Sequence, residues 1–358
     1  MPAYIYPEIK PMKNTVLVLG AGASADLRYP LGPRLFDEVM ADLNTYPYPK
    51  PDRRPHYQSD GLNQLFHHYA KGEPRPKQEV IQTFEKQIQL IREGLMLYRN
   101  QNPEGYSPDA GTHFLETKFS GKEEIREIAS QYIRFLIAYR LLGYESGSFL
   151  RGDFVPHPEH KKAFWANRFW QFWLKKEDWK VLIEGLTIIT FNYERAIEFT
   201  LFQNLYNQNK HFEGKFKYPE YLESNILHVY GKLGKFAPPY SESNDTLPFA
   251  THNNRWAEIS MAHGVIELIR DKKVESQNTN FTKELSGADK IFFMGFGFAK
   301  ENIEKLGLTE SVVSNKQVFA TGSRPGHLLE EHAEVLNHID FTGFYCSDFT
   351  DEILLRRI

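Results

Sequence analysis

The sequence predicts an α/β fold, an open parallel sheet of about six strands interrupted by a large helical insertion. Two observations predict it. Short, wholly apolar runs alternate with helical patterns through the second half of the chain, and a long stretch without such runs separates the first from the others. Helices cover both faces of a parallel sheet, so its strands read as unbroken apolar runs. Residues 15–19, 187–190, 226–230, 290–294 and 317–321 fit, with a weaker sixth run at 339–345. Helical patterns at 194–206, 257–270, 300–306 and 327–336 fall between the last five runs. That alternation is the mark of βαβ units.

The intervening stretch opens with YPYPKPDRRP, a proline and charge cluster that neither a helix nor a central strand accommodates. Ile81, Phe84, Ile88, Ile91 and Leu95 then recur at helical spacing, as do Ile125, Ile128, Tyr132, Phe135 and Tyr139. A third segment carries Phe164, Trp165, Phe169, Trp170, Phe172 and Trp173, too many rings for one stripe. They read as the core of a helical subdomain or, for some of them, as an interface. Residues 1–43 and 181–358 are thus expected to form the sheet domain and 44–180 a mainly helical insertion.

Composition removes several classes of function. The 358 residues include one cysteine, Cys346, which excludes an intrachain disulfide framework and a four-cysteine zinc site. Cys346 has no nucleophile signature around it and reads as a small buried hydrophobe. A net charge of −3 argues against a general nucleic-acid-binding surface. No apolar run reaches the roughly 18 residues of a membrane span, and the start lacks a signal-peptide core, so a cytoplasmic location is expected. His67 beside His68, and His157 and His160 around a proline, lack the spacing of a metal site, and no metal is expected.

The most informative local feature is NTVLVLGAGASADLRYPLG, where an apolar strand runs into Gly20, Ala21, Gly22, Ala23 and Ser24. Glycines there permit a tight turn whose amides a phosphate can approach, followed by a helix whose N-terminal dipole favours the anion. Close packing of strand on helix also calls for glycine. Gly20, Gly22 and Ala25 fit a dinucleotide fingerprint, but the second strand and the acid expected about 20 residues on are missing, which disfavours an ordinary NAD-dependent dehydrogenase. No P-loop motif occurs. A Rossmann-like sheet with this turn at its first strand is the fold expected.

Further strand ends carry polar groups. TIITFNYERAIEF places Thr190, Asn192 and Glu194 at the carboxyl end of one strand, NILHVYGKLG brings His228, Tyr230 and Gly231 from another, and ADKIFFMGFGFAKEN ends in Gly295 and Gly297. Ligands of open α/β sheets bind at those ends, although an Asn there also serves as a helix cap.

The set of motifs resembles the sirtuin-like NAD-consuming superfamily, specifically its bacterial antiviral-defence branch, over residues 14–32 and 187 to about 325. In that family the GAG-x-S turn binds pyrophosphate, the Asn holds the nicotinamide ribose and a water, and a histidine is the base. The resemblance implies Asn192 and His228 as catalytic residues. It implies Gly20, Ala21, Gly22, Ala23, Ser24, Asp26, Thr190, Gly295, Gly297, Thr321 and Gly322 as the NAD+-binding set, with Asp26 toward the nicotinamide. NAD+ would be the substrate, hydrolysed to nicotinamide and ADP-ribose without a metal, in an effector of antiphage defence. A homo-oligomer and a separate regulator such as a HerA-type ATPase are the implied partners. Departures are Glu194 where Asp is usual, Gly297 where Ser is usual, and Tyr230 where many relatives have His, with His228 two residues earlier. Period-two alternation would put His228 and Tyr230 on one face. A single cysteine removes the zinc ribbon of protein deacylases. A module that senses NAD+ or ADP-ribose without turnover is the alternative from another class.

Overall fold

The computed structural model describes residues 14–44, 65–66, 69, 77–103, 106–146, 164–175, 185–208, 225–237, 246–249, 256–266, 272–323 and 332–357. The apolar runs become strands β1 (Thr15–Leu19), β2 (Leu186–Thr190) and β3 (Ile226–His228), then, after the short pair β4 (Lys235–Ala237) and β5 (Thr246–Pro248), β6 (Lys290–Met294), β7 (Gln317–Ala320) and β8 (Asp340–Phe341). Six of them form one sheet in the order β3-β2-β1-β6-β7-β8, with every pairing parallel. This is the expected Rossmann-like open sheet. Its central strand, β1, is buried along its whole length, which is why it reads as an unbroken apolar run.

Strand order turns back beside β1. From β1 the chain builds outward through β2 and β3 on one side and through β6, β7 and β8 on the other. The crevice at such a switch point lies at the carboxyl ends of the two strands that flank it, here β1 and β6.

The helices described are α1 (Gly32–Asn44), α2 (Gln78–Gln101), α3 (Pro108–Lys118), α4 (Glu123–Ser146), α5 (Trp165–Leu174), α6 (Ala196–Gln208), α7 (Trp256–His263), α8 (Lys272–Gly287) and α9 (Lys300–Leu306), with shorter turns toward the C-terminus. The described part of 44–180 consists of helices and their turns. Phe84, Ile88, Ile91 and Leu95 form the buried stripe of α2, as their spacing predicts. Helix α4 is buried on almost every side from Tyr132 to Leu142 because α1, α3 and α7 all pack on it. A single apolar stripe on α4 was too narrow an expectation.

Some sequence expectations differ from the structure. The run at 226–230 stops being strand at His228, and the sixth run shrinks to two residues. The helix anticipated at 257–270 ends at His263, and that anticipated at 327–336 is helical from Ala333, its earlier part lying outside the described residues. Helix α8 had no counterpart in the apolar pattern. Aromatic α5 packs on α6 of the sheet domain rather than within the α2–α4 cluster. Its Trp165 indole donates to the Ala23 carbonyl at 2.7 Å, which ties the aromatic helix to the glycine turn. All its rings except Phe172 are buried.

Two ion pairs join α4 to the sheet domain. Arg140 forms a fork with Asp42 of α1, both bonds 2.6 Å. At the end of α4, Glu145 pairs with Arg195, just past β2, at 2.5 and 3.1 Å, and both side chains are wholly buried. Removing one member of a buried pair leaves an uncompensated charge, so Glu145→Ala should cost about 3–5 kcal/mol, read from urea unfolding, while Glu145→Met combined with Arg195→Met should recover most of the loss.

Candidate active site

Register brings the sequence motifs to one rim. His228 pairs with Thr190, Thr190 with Leu19, and Leu19 with Met294, so the last residues of β3, β2, β1 and β6 lie side by side. The residues that follow, including Gly20, Asn192 and Gly295, necessarily emerge together.

At the switch point the two glycine turns touch through their backbones. A Cβ on Gly20 would lie 2.4 Å from the Gly295 carbonyl oxygen, and one on Gly22 would lie 2.8 Å from Gly295 Cα. Gly295 has φ +59°, and a Cβ there would sit 2.1 Å from the Ala23 nitrogen. The Gly20 and Gly22 amides donate to the Met294 and Gly295 carbonyls at 3.0 and 3.1 Å, and the Ala23 amide turns back to the Gly20 carbonyl at 2.9 Å. Thr321, at the end of β7, accepts from the Gly295 amide at 2.8 Å. These glycines therefore serve close packing, and three amides of the turn already have protein acceptors. The chain then forms a seven-residue 3₁₀ helix, Ala21–Leu27, ended by Arg28 at φ 67°, and α1 begins only at Gly32. An α-helix directly after the turn, with its dipole aimed at an anion, is not what forms.

From that 3₁₀ turn Ser24 points toward the end of β2. Its hydroxyl donates to Glu194 Oε1, and Asn192 Nδ2 reaches both Ser24 Oγ, at 3.1 Å, and Glu194 Oε1, at 3.2 Å. The Asn192 amide donates to Thr190 Oγ1 at 3.1 Å, a local turn that sets the side chain's direction. Glu194 Oε2 accepts from the Ala196 amide at 3.4 Å and so caps α6. All three side chains are buried, Asn192 the least at 8% exposure. Burial pushes the Glu194 carboxyl above the usual carboxylate range; the Ser24 hydrogen bond pulls it back in part, and Glu198 adds to the rise.

His228 is at the same rim but faces α6. Nδ1 lies 2.8 Å from the Asn192 carbonyl oxygen and Nε2 lies 2.8 Å from Glu198 Oε1. Lys232 Nζ approaches the same carboxylate at 3.5 Å. Burial pushes the Glu198 carboxyl up, but the charge and hydrogen bond of His228 outweigh it and hold the group down at about 2. Both ring nitrogens of His228 are thus engaged, one by the Asn192 carbonyl and one by Glu198, so that the ring bridges the Asn192 turn to α6. Glu198 is the residue that reading the motifs misses. Its only sequence signal is its place one helical turn after Glu194.

Other candidates sit elsewhere. Tyr230 does not share a face with His228, because the strand has already ended. Its hydroxyl donates to Asn302 at 2.9 Å, and its ring packs on Phe191 and Tyr193. Asp26 is exposed and accepts from Ser347 at 3.1 Å, away from Asn192. Gly297 is exposed with open space around it. Gly322, at φ +76°, bonds Phe344 and Gly343 through its backbone. Cys346 is buried as expected, its thiol pushed up to about 12 by burial, near the Gly22 carbonyl. His67, His68, His157 and His160 lie outside the described residues. Among the described residues no His, Cys, Asp and Glu cluster suited to a metal ion occurs, and no helix is long and apolar enough to cross a membrane.

A cavity of about 1000 Å³, lined from Ala25 onward, is a feature that the motifs did not foresee. It opens between the segment after the 3₁₀ helix, including Arg28 and Tyr29, the start of α1 with Arg34, and the face of α4 that carries Arg140 and Tyr144. Tyr29 forms its inner wall, and its hydroxyl is pushed well up by burial and by the nearby Glu145 and Glu194 carboxylates. The insertion helix and the segment that follows the glycine turn thus line one space, whose described lining begins at Ala25, next to Ser24. No protein-family model matches the chain, and no curated protein matches it in sequence.

Two predictions come from this geometry. Gly295→Ala meets both a positive φ and backbone atoms on the opposite turn, so it should cost at least about 3 kcal/mol, measured by urea denaturation. The second concerns acid. Glu198, lowered from 4.5 to about 2 in the fold, contributes stability that is complete above 4.5 and lost as pH falls toward 2. Glu194, raised by burial, acts in the opposite sense: its share is complete below 4.5 and lost as pH rises through its folded value. Urea midpoints followed from pH 4.5 to 2 should therefore fall steeply in the wild type and much less in Glu198→Gln.

Proposed function

We propose that the chain is an NAD+ glycohydrolase whose reaction takes place at the rim formed by Ser24, Asn192 and Glu194. The observation that carries this reading is their convergence: a serine from the glycine turn, an asparagine and a carboxylate meet at the carboxyl ends of β1 and β2, and Ala25, the residue after that serine, lines a cavity of about 1000 Å³. That volume suits a dinucleotide. The motif resemblance supplies the substrate, since convergence alone does not choose among ligands.

Cleaving the nicotinamide–ribose bond passes through an oxocarbenium-like state and needs an oriented ribose, a placed water and a group to take a proton. Water attacks the anomeric carbon, the bond to nicotinamide breaks, and the products are nicotinamide, ADP-ribose and a proton. Asn192 can donate to a ribose hydroxyl and accept from water. Glu194 is the carboxylate bonded to both Ser24 and Asn192, and its upward shift moves it toward the range where a general base works. Arg28, Arg34 and Arg140 line the cavity as guanidinium groups that a pyrophosphate could meet, with Arg34 paired to Glu38 and Arg140 to Asp42. The resemblance extends the proposal to an effector that depletes NAD+ during phage infection, acting in the cytoplasm as a homo-oligomer under a partner such as a HerA-type ATPase.

One observation favours the alternative of a binding module without turnover. Ser24, Asn192 and Glu194 satisfy one another, and the His228 nitrogens are both engaged, so the cluster as folded is closed. Nicotinamide release from NAD+, measured by chromatography on the full chain with and without its partner, separates the two. Asn192→Ala should lower release by at least about 100-fold. Tight NAD+ binding with no release under any condition would establish the sensor instead.

A further inference from the structure

We propose that Glu198 and His228 form a positioning pair that holds the Asn192 turn in its working geometry only while the imidazole carries both its protons. The proposal rests on the reading that Asn192 serves a reaction at this rim. His228 Nδ1 lies 2.8 Å from the Asn192 carbonyl, which only accepts, so that nitrogen must carry a proton. Its Nε2 lies 2.8 Å from Glu198 Oε1, and an ionised carboxylate likewise only accepts. A neutral ring has one N–H and would set a lone pair against one of these oxygens.

Three segments meet in this contact. His228 is the last residue of β3, Asn192 follows β2, and Glu198 lies in the first turn of α6. The groups facing the pair are Lys232, 3.5 Å from Glu198 Oε1, and Glu194 on the β2–α6 turn. Glu198 Oε2 is buried with no hydrogen-bond partner among the described residues, so the carboxylate is compensated through Oε1 alone. Loss of the second ring proton would therefore either free the Asn192 carbonyl or leave a buried carboxylate with only Lys232 beside it. Unpaired buried groups of this kind are costly, so the turn would shift. Such a device has the opposite pH sense from a general base: a base works when neutral and gains as pH rises, whereas this pair holds Asn192 while charged and loses as pH rises.

The decisive measurement is the protonation of the His228 ring in the full-length protein, by NMR of nitrogen-15-labelled histidine, with His228→Gln used only to assign the signal. Two protonated ring nitrogens at neutral pH in the wild type, and one in Glu198→Gln, are expected. A neutral single tautomer in the wild type, or a ring unchanged in Glu198→Gln, overturns the proposal; should that variant not fold, the wild-type spectrum decides. Activity provides an independent check through the pH profile of nicotinamide release. The proposal expects a fall on the alkaline side that moves to lower pH in Glu198→Gln, and a rate that climbs with pH as His228 loses its proton overturns it. Absence of any release would count against the hydrolase reading, and the ring measurement would still decide the pairing.

Discussion

Everything at this rim depends on the direct backbone contact between the Gly20–Gly22 turn and Gly295. It closes the switch point of the sheet, where β1 and β6 end side by side and no side chain fits between them. Because the two turns meet at backbone distance, Ser24 is carried toward β2 rather than away from it. From there its hydroxyl reaches Glu194. Glycine is required at Gly20 and Gly22 for closeness and at Gly295 for closeness and a positive φ together. The same contact uses amides that a phosphate-binding turn would offer.

A second constraint joins the helical insertion to this rim. The wholly buried Glu145–Arg195 pair fixes the end of α4 one residue beyond Glu194. Such a pair adds little net stability against an apolar substitute, but it tolerates the loss of neither partner and so sets a register. The α4 face forms a wall of the cavity, and Tyr29, which also lines it, has its hydroxyl raised by burial and by the Glu145 and Glu194 carboxylates. The insertion thereby shares a cavity with the segment after the glycine turn. Trp165, through its bond to the Ala23 carbonyl, does for the aromatic helix what Arg195 does for α4.

Charge within the rim is divided between two carboxylates four residues apart. Glu194 faces Ser24 and Asn192, with no cation bonded to it among the described residues, and is raised by burial; Glu198 faces His228 and Lys232 and is lowered. Two similar groups, one capping α6 and one in its first turn, are thus driven in opposite directions by their surroundings. One is suited to exchanging a proton and the other to holding a charge.

By itself the sequence determined the parallel sheet, the strands that form it and the rim at which polar groups gather. Buried strands are unbroken apolar runs, and the motifs at Gly20, Asn192, His228 and Gly295 lie at or just past their ends. It also made Ser24 and Asn192 visible as candidates. What it could not determine is how those groups pair, because pairing depends on contacts between segments far apart in the chain. Alternation put His228 and Tyr230 on one face, but the strand ends at His228 and its ring turns to Glu198. The aromatic helix was legible as a helix, but its partner, α6, was not. Only the tertiary structure shows that the glycines pack on one another, that the cavity lies between α4 and the glycine turn, and that Glu198 engages His228. Apolar periodicity records which faces are buried, and it carries no information about which buried polar atoms meet.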